Sequence, residues 1–188
     1  QKGCQLLSHI LYEVIIAWWE RNLQIVFVAN GEYQTVFRDI VAFHGLQQRV
    51  AICDFEERLE HLGYAASDFI LMPSKFEPCG LPQMIAPIYG SLPVAFDTGG
   101  IHDTISHLNI DSDTGNGFLF EFFDAEGLFW AITQAMDFYA RPETVRAAQI
   151  KRIMQESKAR FNHGVTAEQY VDLYEKMLHR PLVNRTPV

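Results

Sequence analysis

Residues 74–81 read SKFEPCGL, and they set one carboxylate, Glu77, between an aromatic ring and a proline, with Cys79, Gly80 and Leu81 close behind. An apolar run, DFILMP (68–73), precedes the stretch, and an amphipathic run, LPQMIAPIYG (81–90), follows it. A strand, a tight turn and a helix start fit that order. The carboxyl end of a strand is where open α/β sheets hold their ligands. Glu77 there has two readings. It is a plain turn carboxylate facing solvent, or it hydrogen-bonds a polyol and stabilises developing positive charge beside an anion. The backbone N–H groups at the Gly80–Leu81–Pro82 helix start would meet that anion, helped by the helix dipole.

Three further places bear on the same chemistry. DTGGIHDT (97–104) follows another apolar run, and its two glycines allow positive φ and close backbone approach. A plain tight turn is the alternative, with Asp103 and Thr104 capping a following helix. Phe55 follows RVAICD and is either a core residue or a ring that stacks on a base. Lys2 is an exposed lysine that on composition alone has no task. Cys79 reads as a small filler in its turn, since no base stands near it in sequence to make it a nucleophile.

These residues need a scaffold, and the chain alternates in the required way. CQLLSHILYEVIIAWWERN (4–22) carries Leu6, Leu7, Ile10, Leu11, Val14, Ile15 and Trp18 at helical spacing. LQIVFVAN (23–30) reads as a strand covered on both faces. A helix over 32–44, a strand over 49–55, a helix over 56–67, a strand over 68–73, a helix over 81–90 and a strand over 91–96 follow. Pro87 is expected to kink or end its helix. Strands alternating with helices predict a doubly wound parallel α/β sheet. The last third carries a short strand over 115–122 and helices near 124–139, 142–157 and 165–179, with Pro142 opening the second. The tail PLVNRTPV is expected to fray.

The bulk numbers exclude several classes. The 188 residues are enough for one domain with a real core, and 48% hydrophobic with 20% charged residues is globular rather than disordered. Fifteen basic against 23 acidic residues give a formal charge of −8, which argues against nucleic acid and against anionic membrane as partners. Three widely spaced cysteines and seven unclustered histidines support neither a disulfide framework nor a metal site, and a reducing compartment is the simplest reading. The longest apolar run, ILYEVIIAWW (10–19), is too short to span a bilayer.

Over SKFEPCGLPQMIAPIYGSLPVAFDTGGIHDT (74–104) the chain resembles the starch/glycogen synthase family of glycosyltransferases, in their carboxyl-terminal half. FEPCGL, YGSLPV and TGGIHDT stand at the family's spacing. QKG (1–3), YAASDFILMPS (64–74), TGNGFLFE (114–121) and AEQYVDLYEKML (167–178) extend the resemblance over nearly the whole chain. It implies one Rossmann-like half of a GT-B glycosyltransferase, a donor-binding domain spanning 1–188 with its closing helices at about 124–179. It also implies ADP-glucose as donor, an α-1,4-glucan as acceptor, retention of anomeric configuration, and no metal or other cofactor. The compartment is then bacterial cytoplasm or plastid stroma. Carried over by position, Glu77 would face the donor glucose and stabilise oxocarbenium-like charge. Cys79, Gly80 and Leu81 would offer backbone contacts to glucose and phosphate. Lys2 would pair with the diphosphate, Phe55 would stack on adenine, and Thr98, Gly99 and Gly100 would line the sugar and phosphate end.

The departures from the pattern gather at the phosphate end. Lys75 stands where many members carry Arg, which keeps the charge and loses the bidentate fork. Pro82 replaces Thr or Asn and removes a hydroxyl and a backbone donor. Pro87 and Ile88, and then Phe96 and Asp97, replace commoner residues that are often basic. Ile85 stands where other retaining transferases of this architecture carry a second Glu, which counts against a different donor. The acceptor half, with its histidine, aspartate and further arginine, is not found, and the strand that normally precedes QKG is expected to be absent. The isolated chain is therefore expected to bind ADP or ADP-glucose weakly and to transfer no glucose. The alternative is a degenerate, non-catalytic nucleotide-binding or regulatory domain of the same fold.

Overall fold

The computed structural model describes residues 1–183; residues 184–188, most of the tail expected to fray, lie outside the described residues. Among the described residues eight α-helices and five strands alternate up to the sixth helix, and the last two helices follow it with no strand between: α1 (Cys4–Ala17), β1 (Ile25–Val28), α2 (Tyr33–His44), β2 (Val50–Cys53), α3 (Glu57–Ala66), β3 (Phe69–Met72), α4 (Pro82–Tyr89), β4 (Leu92–Phe96), α5 (Gly99–Thr104), β5 (Phe118–Phe120), α6 (Ala125–Tyr139), α7 (Glu143–Arg160) and α8 (His163–Leu178). All strand pairs are parallel, and they fall into two ladders among the described residues, β1–β2 and β3–β4–β5.

Helix α1 joins the two ladders. Its buried stripe, Leu6, Leu7, Ile10, Leu11, Val14 and Ile15, is the one its spacing predicts. It packs against α2 on one side and α6 on the other, and the core it anchors runs continuously from Phe37, Val41 and Val50 to Leu92, Val94 and Phe118. On the other side of the strands α4 packs against α3 and α7. Helices thus flank the strands on two sides, as the alternation predicts. Within each ladder the strands that are consecutive in the chain lie side by side, joined by helical crossovers.

Several local expectations are corrected. The first helix ends at Ala17 rather than Asn22. A turn of 3-10 helix, Trp19–Arg21, follows, and Asn22 takes the left-handed conformation (φ 59°), which an Asn side chain tolerates. Strand β1 is not covered on both faces: Val26 is 61% exposed and Ala51, its partner across the ladder, is exposed too. Helix α3 contacts β1 but buries only Tyr64, so it screens that face incompletely. Residues 97–104 are not a turn followed by a capped helix. The helix α5 starts at Gly99 itself, and Asp103 and Thr104 close it. Helix α4 continues two residues past the buried Pro87 and stops at Gly90 (φ 93°). Helix α8 is capped by Asn162, whose side chain accepts from the Val165 N–H, and it buries no residue.

Candidate functional site

The first residues of the chain lie against the carboxyl end of β3. The Gln1 carbonyl accepts from the Lys75 N–H at 3.0 Å, just past β3. Gly3, at φ 75°, lies so close to Pro73 that a Cβ there would stand 1.8 Å from the Pro73 carbonyl oxygen. These contacts carry Lys2 to the carboxyl end of β3. Its ammonium pairs with the Glu77 carboxylate. The two side chains sit in different surroundings: Lys2 is 66% exposed and Glu77 10%. Ser74 donates to the same Glu77 oxygen at 3.2 Å. Glu77 is therefore not a solvent-facing turn residue. It is a buried carboxylate held by a cation and a hydroxyl.

The glycine turn lies directly on the Glu77 loop. The Gly100 N–H donates to the Glu77 carbonyl at 2.8 Å, and the Thr98 hydroxyl donates to the Lys75 carbonyl at 3.5 Å. A Cβ on Gly99 would lie 2.3 Å from the Glu77 carbonyl oxygen, and one on Gly100 2.1 Å from that of Cys79. The close backbone approach that two glycines permit is thus made to the neighbouring loop. Gly99 takes the left-handed conformation (φ 47°), and so does Gly80 (φ 74°).

The remaining expected residues divide. Cys79 is exposed, and its thiol contacts the Gly80 carbonyl at 3.6 Å. Leu81 is 61% exposed and precedes Pro82, the first residue of α4. The Lys75 ammonium stands 5.8 Å from the centre of the Phe123 ring, a cation–π arrangement that directs it toward the entry of α6. Phe55 is half exposed beyond β2, where its N–H donates to the Asn30 side chain at 3.0 Å. Its loop shares the carboxyl ends of the strands with the Glu77 cluster, but its described contact is to Asn30.

Sequence reasoning passed over three residues that this cluster uses, and read a fourth, Thr104, only as a helix cap. Ser74 holds Glu77. Gln83, fully buried, donates to the Cys79 carbonyl at 2.7 Å, and its helical position near Cys79 was the signal available. Thr104 donates to the Gly100 carbonyl at 2.5 Å. His102 is the third of those passed over. Its ring nitrogen lies 2.8 Å from the Asp97 carboxylate, whose hydrogen bond and charge raise its pKa above the ordinary histidine value, with Asp103 adding to the rise. Asp97 therefore arrives at the loop already engaged rather than as a bare acid.

A hollow of about 430 Å³ lies elsewhere, toward the carboxyl end of α1, lined by Tyr12, Ile16, Trp19, Glu20, His44, Gly45 and Leu46. It is distant from the Glu77 cluster along the chain, and none of the expected site residues line it. Among the described residues no group of three or more His, Cys, Asp or Glu is placed to hold a metal, and no helix is long and apolar enough to cross a membrane. The three cysteines are free thiols.

Parallel strands flanked by helices, with a lysine–glutamate pair and a glycine turn at the strands' carboxyl ends, make this one Rossmann-like half of the GT-B glycosyltransferase architecture. A family model described as glycosyl transferases group 1 matches residues 1–137, and the chain belongs to that family. Within it, the chain is 37% identical over 180 residues to a glycogen synthase of Bacillus subtilis, covering 94% of this chain and 35% of that protein. It is 34% identical over 200 residues to a probable starch synthase 4, chloroplastic/amyloplastic, of Arabidopsis thaliana, covering 99% of this chain and 18% of that protein. Among solved structures, the catalytic domain of starch synthase IV from Arabidopsis thaliana, bound to ADP and acarbose, superposes with a TM-score of 0.75 at 31% identity, over 96% of this chain and 36% of that one. A glycosyltransferase from Rickettsia africae shares the fold, with a TM-score of 0.71 at 19% identity over 94% of this chain and 45% of that one. The chain spans about a third of the bacterial glycogen synthases it matches.

Proposed function

We propose that this chain is the donor-binding domain of a retaining glucosyltransferase that moves glucose from ADP-glucose to the non-reducing end of an α-1,4-glucan. The observation that carries the reading is the gathering of Lys2, Glu77 and the Thr98–Gly100 turn at one rim. The starch synthase IV structure, which matches nearly the whole chain, holds ADP.

In this reading the diphosphate takes over Lys2, and Glu77 is left facing the glucosyl carbon. As the glucosyl–phosphate bond breaks, positive charge grows on the sugar ring and negative charge on the leaving phosphate. The carboxylate and the ammonium, already adjacent, stabilise the two separating charges, and they do so most in the transition state. Backbone N–H groups around Gly80 and Leu81 complete the phosphate contacts, Phe55 stacks on the adenine, and the chemistry needs no metal. The glucan is held by an acceptor half outside these residues, so this chain alone binds nucleotide and transfers nothing.

Calorimetric titration with ADP tests the reading. The wild-type chain is expected to bind weakly, and Phe55→Ala to bind on the order of 10-fold more weakly, the scale of one lost base–aromatic stack. Glucose transfer by the purified chain would contradict the partition of function. Failure of the wild type to bind ADP would favour the second reading, a non-catalytic domain of the same fold. That reading draws its support from Asp97, an acid paired to His102 where a basic residue would better serve a diphosphate.

A further inference from the structure

Two buried side-chain atoms have no hydrogen-bond partner among the described residues, Arg146 Nε and Gln83 Oε1, and only Gln83 lies beside the Glu77 loop. Gln83 is completely buried, and its side-chain oxygen has no partner among the described residues. The amide cannot be turned around, because its nitrogen donates to the Cys79 carbonyl at 2.7 Å and a flip would set two oxygens against each other. A leucine there would fill the space without stranding a side-chain oxygen, but it would leave the Cys79 carbonyl without its donor. Packing alone therefore gives no reason for the amide.

We propose that Gln83 and Thr104 are positioning residues that latch the Glu77–Gly80 loop to the Thr98–Thr104 turn, so that the two act on the donor as one rigid unit. This rests on the donor reading above. The Gln83 amide has two hydrogens. One goes to the Cys79 carbonyl and the other, over a longer 3.4 Å, to the Thr104 hydroxyl. That hydroxyl passes its own hydrogen to the Gly100 carbonyl at 2.5 Å. Gly100 closes the circuit by donating its N–H to the Glu77 carbonyl at 2.8 Å. The chain of bonds thus runs from Cys79 through Gln83, Thr104 and Gly100 back to Glu77.

The latch also sets a direction. The peptide between Cys79 and Gly80 is planar and trans, so its C=O and N–H point opposite ways. Drawing the Cys79 carbonyl inward to Gln83 turns the Gly80 N–H away from Gln83. That N–H has no acceptor among the described residues. It becomes a fixed donor for an oxygen of the bound nucleotide sugar, prepared before the ligand arrives.

The test uses the 188-residue chain, ADP calorimetry and amide hydrogen exchange. Gln83→Leu is expected to weaken ADP binding at least 10-fold and to speed exchange in residues 76–81 and 97–104 together, leaving β4 and β5 unchanged. Thr104→Val, which keeps the shape and loses the hydroxyl, is expected to weaken ADP binding about 3-fold, and Thr104→Ser to restore it. The Gln83→Leu/Thr104→Val double variant is expected to bind no more weakly than Gln83→Leu alone, since both changes open one latch. A lowered melting temperature with unchanged ADP affinity in Gln83→Leu would show a purely structural residue and overturn the proposal. If the wild type binds no ADP, the donor reading falls and exchange alone judges the latch: acceleration confined to 76–81 overturns it. Should Gln83→Leu fail to fold, equal affinity and equal exchange in Thr104→Val and Thr104→Ser overturn it instead.

Discussion

Glu77 is a carboxylate nine-tenths removed from water, yet its partner Lys2 stands two-thirds in it. Such an asymmetric pair suits a site in which the lysine has to move to a ligand while the acid stays. It also predicts where the cost of losing the pair falls. Lys2→Ala leaves Glu77 buried with Ser74 as its remaining side-chain partner, and chemical unfolding should show a loss of about 1–2 kcal/mol, the range for a hydrogen bond to a charged group after allowing for the exposed lysine. An unchanged denaturation midpoint would mean that the pair is idle in the unliganded chain. His102 makes a second prediction at this scale. Asp97 raises its pKa in the folded chain, so the pairing contributes below the unfolded histidine pKa and fades as pH climbs through the folded value. An NMR titration of the His102 ring should place its midpoint above that of Asp97→Asn, and coincident midpoints would dismiss the interaction.

The elements matter here chiefly through the loops at their ends. Helix α4 opens with Leu81 and Pro82, and α5 opens with the two glycines that let its first turn sit on the Glu77 loop. Gly100→Ala would place a methyl 2.1 Å from the Cys79 carbonyl oxygen, so the loops must separate. An overpacking cost of roughly 1–3 kcal/mol is expected, with loss of ADP binding in the same variant. Gly45→Ala is the comparison. Its added Cβ meets nothing within 4 Å, though its φ of 67° is strained for alanine, so stability should fall by about 1 kcal/mol while ADP affinity holds. If Gly100→Ala binds ADP as well as Gly45→Ala, loop packing does not shape the site.

At the scale of the molecule, α1 is the keystone and α8 the outlier. Leu11 and Ile15 of α1 are completely buried in the main core, where α1 packs against α2 and α6. Tyr170, Leu173, Tyr174, Met177 and Leu178 of α8 recur at helical spacing and are all about half exposed or more. Ending the chain after Asn162 should therefore change the unfolding free energy by less than about 1 kcal/mol, because little apolar surface returns to water. It should also reduce binding of a hydrophobic dye. A collapse of the cooperative transition would show that α8 carries stability that its exposure denies. Leu11→Ala, by contrast, should cost about 2–5 kcal/mol in urea unfolding.

The amino-acid order by itself determined the alternation of helices and strands, the buried stripe of α1 and the family resemblance. Each of these lives in local periodicity or in contiguous motifs such as FEPCGL and TGGIHDT. It also singled out Glu77 and the two glycines, whereas Lys2 entered only through the resemblance. It misjudged strand β1, where Val26 is open, because an apolar run states a preference for burial and only the neighbouring helix decides whether cover is supplied. It missed Gln83 and Ser74 and read Thr104 only as a cap, since a polar residue within an amphipathic pattern looks like surface until the facing element is known. The tertiary structure alone decided that Lys2 meets Glu77 across 75 residues of chain, that the glycines face a backbone, and that a buried glutamine ties the two loops. Contacts of that kind arise from how packed elements aim their ends, which no short stretch of sequence encodes.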